Sequence, residues 1–156
     1  MKKTTNGKGV FTNKVIPPDS LIIEIKGKFI PGNIGDDVPL DVMLNSFRFD
    51  KNKYIDSTGS IGYFLNHSCK PNAKIVKRKN GLFLYSLETI NKGEEIFFDY
   101  STTIADDDIW EMECRCNCGS HECRGTIAGF DTLSKKVQKD YINKGMVPKF
   151  ILGLSL

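Results

Sequence analysis

Long apolar runs are missing from this sequence: nothing in its 156 residues approaches the ~18 consecutive apolar positions of a membrane-spanning helix, so no membrane association is expected. The lysine-bearing start, MKKTTNGKGVF, has no hydrophobic stretch behind it. No secretory leader is therefore expected, and a reducing, intracellular compartment is. Internal repeats, low-complexity tracts and linkers are absent too, which leaves one domain with enough chain to bury a core. Excess charge is scarce. A net charge of +3 does not require a nucleic-acid partner, and the basic runs KIVKRK (74–79) and SKKVQK (134–139) read first as solvated faces. Helical periodicity is confined to TLSKKVQKDYINKG (132–145), where Leu133, Val137 and Tyr141 fall on one face and Gly145 marks a stop.

What the chain does have is short strands. LIIEIKGKFI (21–30) reads as a strand bending at Gly27, SFRFDKNKYIDS (46–57) as a hairpin, and NKGEEIFFDY (91–100) as a turn into a short apolar strand. AKIVKRKNGLFLYSL (73–87) is the clearest hairpin, with Asn80-Gly81 as the expected positive-φ turn. The sum is an α+β domain, mostly β.

Cysteine is the second positive signal. Of five cysteines, four fall within CRCNCGSHEC (114–123). Neighbours two apart rarely reach disulfide geometry, and clustered thiols in a reducing compartment favour a metal. Cys116, Cys118 and Cys123 supply three thiolates of a tetrahedral zinc site. The fourth ligand could be Cys114 or His121 locally, or Cys69 from GYFLNHSCKPNA (62–73); spacing does not choose among them.

Five blocks together resemble one family. GYFLNHSCKPNA is similar to the Asn-His-Ser-Cys-x-Pro-Asn signature of SET-domain protein-lysine methyltransferases. GEEIFFDY (93–100) resembles their Gly-Glu-Glu-x-x-Phe-Asp-Tyr, CNCGSHECRG (116–125) their post-SET zinc segment, NGKGVF (6–11) their opening Gly-x-Gly-Val, and YIDSTGS (54–60) the strand and turn before the Asn-His signature. The blocks occur in family order over residues 6 to about 127. The resemblance implies a SET fold of small curved sheets with a pseudoknot (1–104), a zinc-bound post-SET segment (105–128), and a C-terminal helix and tail packed on the same domain (129–156).

The resemblance also implies roles. Tyr100 would be the catalytic residue. Gly7, Lys8, Gly9, Asn66, His67 and Ile127 would hold S-adenosylmethionine, which leaves as S-adenosylhomocysteine. Phe98, Ile25 and Tyr63 would line the lysine channel, with Phe98 leaving room for di- or trimethylation. Cys69 would join Cys116, Cys118 and Cys123 as the fourth zinc ligand, leaving Cys114 as a stray thiol. The implied substrate is a basic protein, a histone tail first, which would place the enzyme at chromatin. DDDIWEME (106–113), with five carboxylates, would attract such a peptide, and Trp110 would pack on cofactor, substrate or core. Two departures stand out: Ile25 replaces a channel aromatic in Glu24-Ile25-Lys26-Gly27, and Tyr63 stands where an Arg is common. Rival readings are an inactive peptide-binding SET module, a zinc-stabilised nucleic-acid binder using Lys74, Lys77, Arg78 and Lys79, and a Cys-His hydrolase built on His67 and Cys69. Direct nucleic-acid binding is disfavoured by the modest charge, and the sequence does not speak to oligomeric state.

Overall fold

The computed structural model describes residues 2–4, 7–31, 42, 45–51, 53–104 and 114–153. The acidic run 106–113 with Trp110, and most of the stretch 31–45, lie outside the described residues.

Short alternating segments give short strands, paired into five small sheets among the described residues. Strands β1 (Lys2–Thr4) and β2 (Gly7–Gly9) form an N-terminal hairpin. β3 (Leu21–Ile25), β8 (Ala73–Arg78) and β9 (Gly81–Ser86) form one antiparallel sheet in the order β3-β9-β8, and β4 (Lys28–Pro31), β5 (Ser46–Asp50) and β6 (Lys53–Asp56) another in the order β4-β6-β5. β7 (Asn66–His67) pairs with β10 (Phe97–Phe98), and β11 (Cys114–Arg115) with β12 (Thr126–Ile127). Inward positions of the two larger sheets, among them Ile25, Phe47, Ile55, Ile75, Leu82 and Leu84, meet in the main core.

The expected bend at Gly27 is a change of sheet, since β3 pairs with β9 and β4 with β6. Glycine is required there by contact: a Cβ would sit 1.9 Å from the Asp56 carbonyl oxygen. The hairpin of 73–87 forms, but not on the expected turn. Arg78 pairs with Gly81, so the turn residues are Lys79 and Asn80, and neither Asn80 nor Gly81 has a positive φ. Gly81 is instead a strand residue whose missing side chain leaves room for the Phe83 ring and the Glu24 carboxylate.

Helix α1 (Lys135–Asn143) starts at Ser134, whose Oγ accepts from the Val137 N–H, and ends before Gly145 at φ +61°. Its one fully buried residue, Tyr141, joins Phe130, Leu133 and Met146 in a second core. Lys74 Nζ donates to the Lys144 carbonyl at 2.9 Å, tying β8 to the end of the helix.

Gly27→Ala should therefore destabilise the protein by about 3 kcal/mol or more, because backbone must move. Gly93→Ala, at φ +90° with no atom within 4 Å of the new Cβ, should lose only the ~1–2 kcal/mol of left-handed strain. Urea denaturation of the two variants checks the order; equal losses would contradict it.

Candidate active site and cysteine cluster

Strand β7 is two residues long, and its backbone needs a partner. It finds β10, in parallel, with Asn66 opposite Phe97 and His67 opposite Phe98; the Ser68 N–H extends the ladder to the Phe98 carbonyl at 3.1 Å. Asn72 stitches the two arms: its Nδ2 donates to the Glu95 carbonyl and its Oδ1 accepts from the Phe97 N–H, both at 2.8 Å. Beyond β10 the chain turns back. The Tyr100 N–H donates to His67 Nδ1 at 3.2 Å, and the Tyr100 hydroxyl donates to the Leu65 carbonyl at 2.7 Å. The Asn-His and Phe-Asp-Tyr segments are thus brought together.

A cavity of about 240 Å³ opens beside this junction. Phe47, Tyr54, Tyr63, Leu65, Phe98 and Tyr100 form its apolar wall. Phe98 packs on Phe47 and Tyr100 with ring centroids 5.6 and 4.8 Å apart. Ile25 does not reach the wall: it is 2% exposed and lies under Gly62, in the core. Ile127 and Cys114 both border the cavity, facing each other across the β11–β12 pair. Sequence reasoning left Cys114 without a place because only the pairing of strands twelve residues apart brings it here. No carboxylate lines the cavity among the described residues; Arg48 borders it, with its guanidinium donating to the Asp50 and Lys51 carbonyls. Burial raises the Tyr100 phenol to about 12, so it is neutral across the physiological range.

Between Phe98 and Tyr100 sits Asp99, fully buried. Arg124 donates to its carboxylate from two nitrogens at 2.6 and 2.9 Å, the Ser101 N–H at 3.0 Å and the Tyr141 hydroxyl at 2.8 Å. Burial disfavours the Arg124 cation, but the Asp99 carboxylate outweighs it and holds the guanidinium firmly charged. Arg124 and Tyr141 were missed as site residues. The available signal was an acidic residue inside an apolar strand, which needs a buried partner.

The thiols converge one layer below. The ligand atoms of His67, Cys69, Cys116 and Cys118 all lie within 4.8 Å of one another. Cys69 and Cys116 are 3.7 Å apart, sulfur to sulfur, and the Cys123 thiol lies in hydrogen-bond range of Cys116 and Cys118. Burial pushes the Cys116 thiol up. Burial opposes the Cys118 thiolate as well, yet N–H groups of Cys69 and Ser120 bring it down to about 6. His121 is exposed and pairs with Glu122, so neither it nor Cys114 joins the cluster. Burial pushes His67 down to about 4, so the ring is neutral. With Nδ1 accepting from Tyr100, Nε2 carries the proton and points at Cys69 Sγ, 3.4 Å away.

On the other side of β7, the Asn66 amide donates to the Lys8 carbonyl at 3.1 Å and to Glu95 Oε1 at 2.7 Å, joining β2 to the knot. Gly7 has φ +106°, and a Cβ there would meet no atom within 4 Å, so the space beside Gly7 is open, while Gly9 is buried. Two cations of the nucleic-acid reading are engaged internally, Lys74 with Lys144 and Lys77 with Asp50.

A family model described as the SET domain matches residues 7–101. Among curated proteins, the chain is 37% identical over 131 residues to histone-lysine N-methyltransferase SETD1B of Homo sapiens, covering 76% of this chain and 6% of that protein. It is 34% identical over 134 residues to histone-lysine N-methyltransferase set-2 of Caenorhabditis elegans (78% and 9%). It is 32% identical over 133 residues to the H3 lysine-4 specific histone-lysine N-methyltransferase of Aspergillus oryzae (76% and 10%). The chain therefore spans a tenth or less of the length of these relatives.

The Tyr100 phenol gives a stability signature. An unfolded chain releases this proton from about pH 10, the folded chain only near 12. Stability is unaffected below pH 10 and falls as pH rises between the two values, because the unfolded state then binds fewer protons. Chemical denaturation across that window should show a slope shallower by up to about 1.4 kcal/mol per pH unit in Tyr100→Phe than in wild type; identical slopes would place the phenol in water.

Proposed function

The chain belongs to the SET-domain family, and from that premise we propose that it is a protein-lysine N-methyltransferase acting on a basic protein, a histone first. The observation that carries the reading is the parallel β7–β10 pair, which sets the Tyr100 hydroxyl beside an apolar cavity. The names of the relatives support the histone as substrate class. S-adenosylmethionine, when bound, supplies the methyl group. The open space at Gly7 and the neighbouring Asn66 segment fit that group, with Lys8, Gly9 and His67 beside them, and Ile127 borders the cavity.

The residues of the chain do the rest. A lysine ε-amine is an ammonium at neutral pH, with pKa near ~10.4. Entering an apolar cavity disfavours the charged form. Tyr100 does not take the proton, since its phenol is itself protonated to about pH 12; the proton leaves to water before the amine is seated. Because the Tyr100 O–H is committed to Leu65, its oxygen lone pairs are free to accept from the amine and to face the positive methyl as it moves. Alignment of this kind supplies roughly 7–11 kcal/mol in favourable cases. Phe98 brings no hydroxyl to hold a water in the cavity, which supports room for di- and trimethylation.

Zinc fits the thiol cluster: Cys69, Cys116 and Cys118 lie together with His67, and Cys123, in reach of Cys116 and Cys118, is the fourth thiolate of the reading. His67 lies among them but points a proton, not a lone pair, at Cys69, and so supports the thiolate without replacing Cys123.

Incubation with labelled S-adenosylmethionine and core histones should place label on lysine, located by mass spectrometry. Tyr100→Phe should lower kcat roughly 10²-fold with donor binding within about threefold; an unchanged rate would remove Tyr100 from the chemistry. For the metal, a chelator should release about one zinc per chain with a drop in melting temperature. Cys123→Ser should lower the zinc content and Cys114→Ser should not; the reverse result would reassign the fourth ligand.

A further inference from the structure

Helix α1 is polar along most of its length and buries a single residue fully, Tyr141. The ring fills the second core beside Phe130, Leu133 and Met146, and a phenylalanine would fill it as well. The hydroxyl does something else. It donates to Asp99 Oδ2 at 2.8 Å and lies 3.4 Å from the Cys69 carbonyl, so one atom of a C-terminal helix touches both arms of the knot. Asp99 is the residue before Tyr100, and its Oδ1 accepts from the Ser101 N–H, capping the single 3-10 turn Tyr100–Thr102. The direction of that carboxylate therefore fixes the turn on which the Tyr100 phenol is mounted. Burial and the Asp99 charge both hold the Tyr141 phenol in its donor form.

The geometry points to Tyr141 as a positioning residue for methyl transfer: by holding the Asp99 carboxylate from the side opposite its own turn, the C-terminal helix sets where the Tyr100 hydroxyl stands at the cavity. This inference rests on the proposed methyltransferase reading for its kinetic expression, but not for its structural one. Without the Tyr141 hydroxyl, Oδ2 keeps only Arg124, which is 22% exposed and reaches in from the post-SET segment. The carboxylate is then free to follow the guanidinium, and the Tyr100 turn loosens with it.

The test is Tyr141→Phe in the full chain, with zinc bound. Methyl transfer is measured at a temperature well below the melting transition. The expected result is a kcat lower by about tenfold, with KM for S-adenosylmethionine and for a histone peptide within about twofold and zinc content unchanged. Tyr141→His, which keeps a ring N–H donor, should recover part of the rate, and Lys139→Ala on the exposed face of the same helix should not alter it. A variant that melts earlier but turns over at the wild-type rate would show a packing role only and overturn the proposal. Should Tyr141→Phe fail to fold, a fluorinated tyrosine at position 141 preserves shape and changes only donor strength; an unchanged kcat there overturns the proposal too.

A second reading separates this inference from the activity it serves. In protein labelled with 3-fluorotyrosine, the Tyr100 resonance, assigned by its loss in Tyr100→Phe, should shift or split in Tyr141→Phe. If wild type methylates nothing, the functional reading fails while this resonance still judges the coupling; a Tyr100 resonance indifferent to position 141 ends it.

Discussion

The buried carboxylate of Asp99 is the point on which the rest of the molecule turns. An isolated charge of that kind is strongly unfavourable in a protein interior, so its partners are compulsory. They come from three parts of the chain: Ser101 from its own turn, Arg124 from the cysteine segment, Tyr141 from the C-terminal helix. Removing one partner of a buried pair is typically worse than never having had the pair, by about 3–5 kcal/mol, because the orphaned charge stays behind. The carboxylate therefore acts as a specificity device. It makes one arrangement of knot, cysteine segment and helix much better than any alternative.

His67 links this hub to the thiols. Its ring is buried and neutral, accepts at one nitrogen from the residue after Asp99, and presents the other to Cys69. Burial keeps it neutral, outweighing the pull of the nearby Asp99 carboxylate, and Arg124 adds to the same side. Thiol cluster and carboxylate are thus joined through one imidazole: Cys69 faces His67, and His67 accepts from the backbone of Tyr100, next to Asp99. Asn66, next door, faces the other way, toward Lys8 and Glu95. Alternation along a two-residue strand is enough to give one segment two duties.

Much of this was legible in the residues, for reasons that can be stated. The thiol spacing, the alternating strands and the helix each carry a local physical signature, while the approach of Tyr100 to Asn66–His67 was implied by the family resemblance of the Asn-His and Phe-Asp-Tyr blocks and not by local chemistry. What was not legible depended on contacts between distant segments. Asn80-Gly81 has the composition of a tight turn, but the register of β8 against β9 is fixed by inward Ile75, Leu82 and Leu84, and that register moves the turn back by one residue. Ile25 stood at a position expected to line the channel, yet the sheet change at Gly27 leaves it under Gly62 in the core. Tyr141 read as one more apolar position on a helix face; its hydroxyl has meaning only beside Asp99.

The cavity shows the same division between what neighbours supply and what distance supplies. Its wall is aromatic because β5, the 3-10 turn before β7, and β10 each contribute rings, and a carboxylate there would stabilise the ammonium that must be lost. Among the described residues none is present. Ile104 and Cys114 both border the cavity; the five carboxylates of 106–113 fall between them in sequence, outside the described residues. On the proposed function, an interior of this kind favours a neutral amine over an ammonium. The rings that make that interior apolar reach it from separate elements, so the property belongs to the packing and not to any one segment.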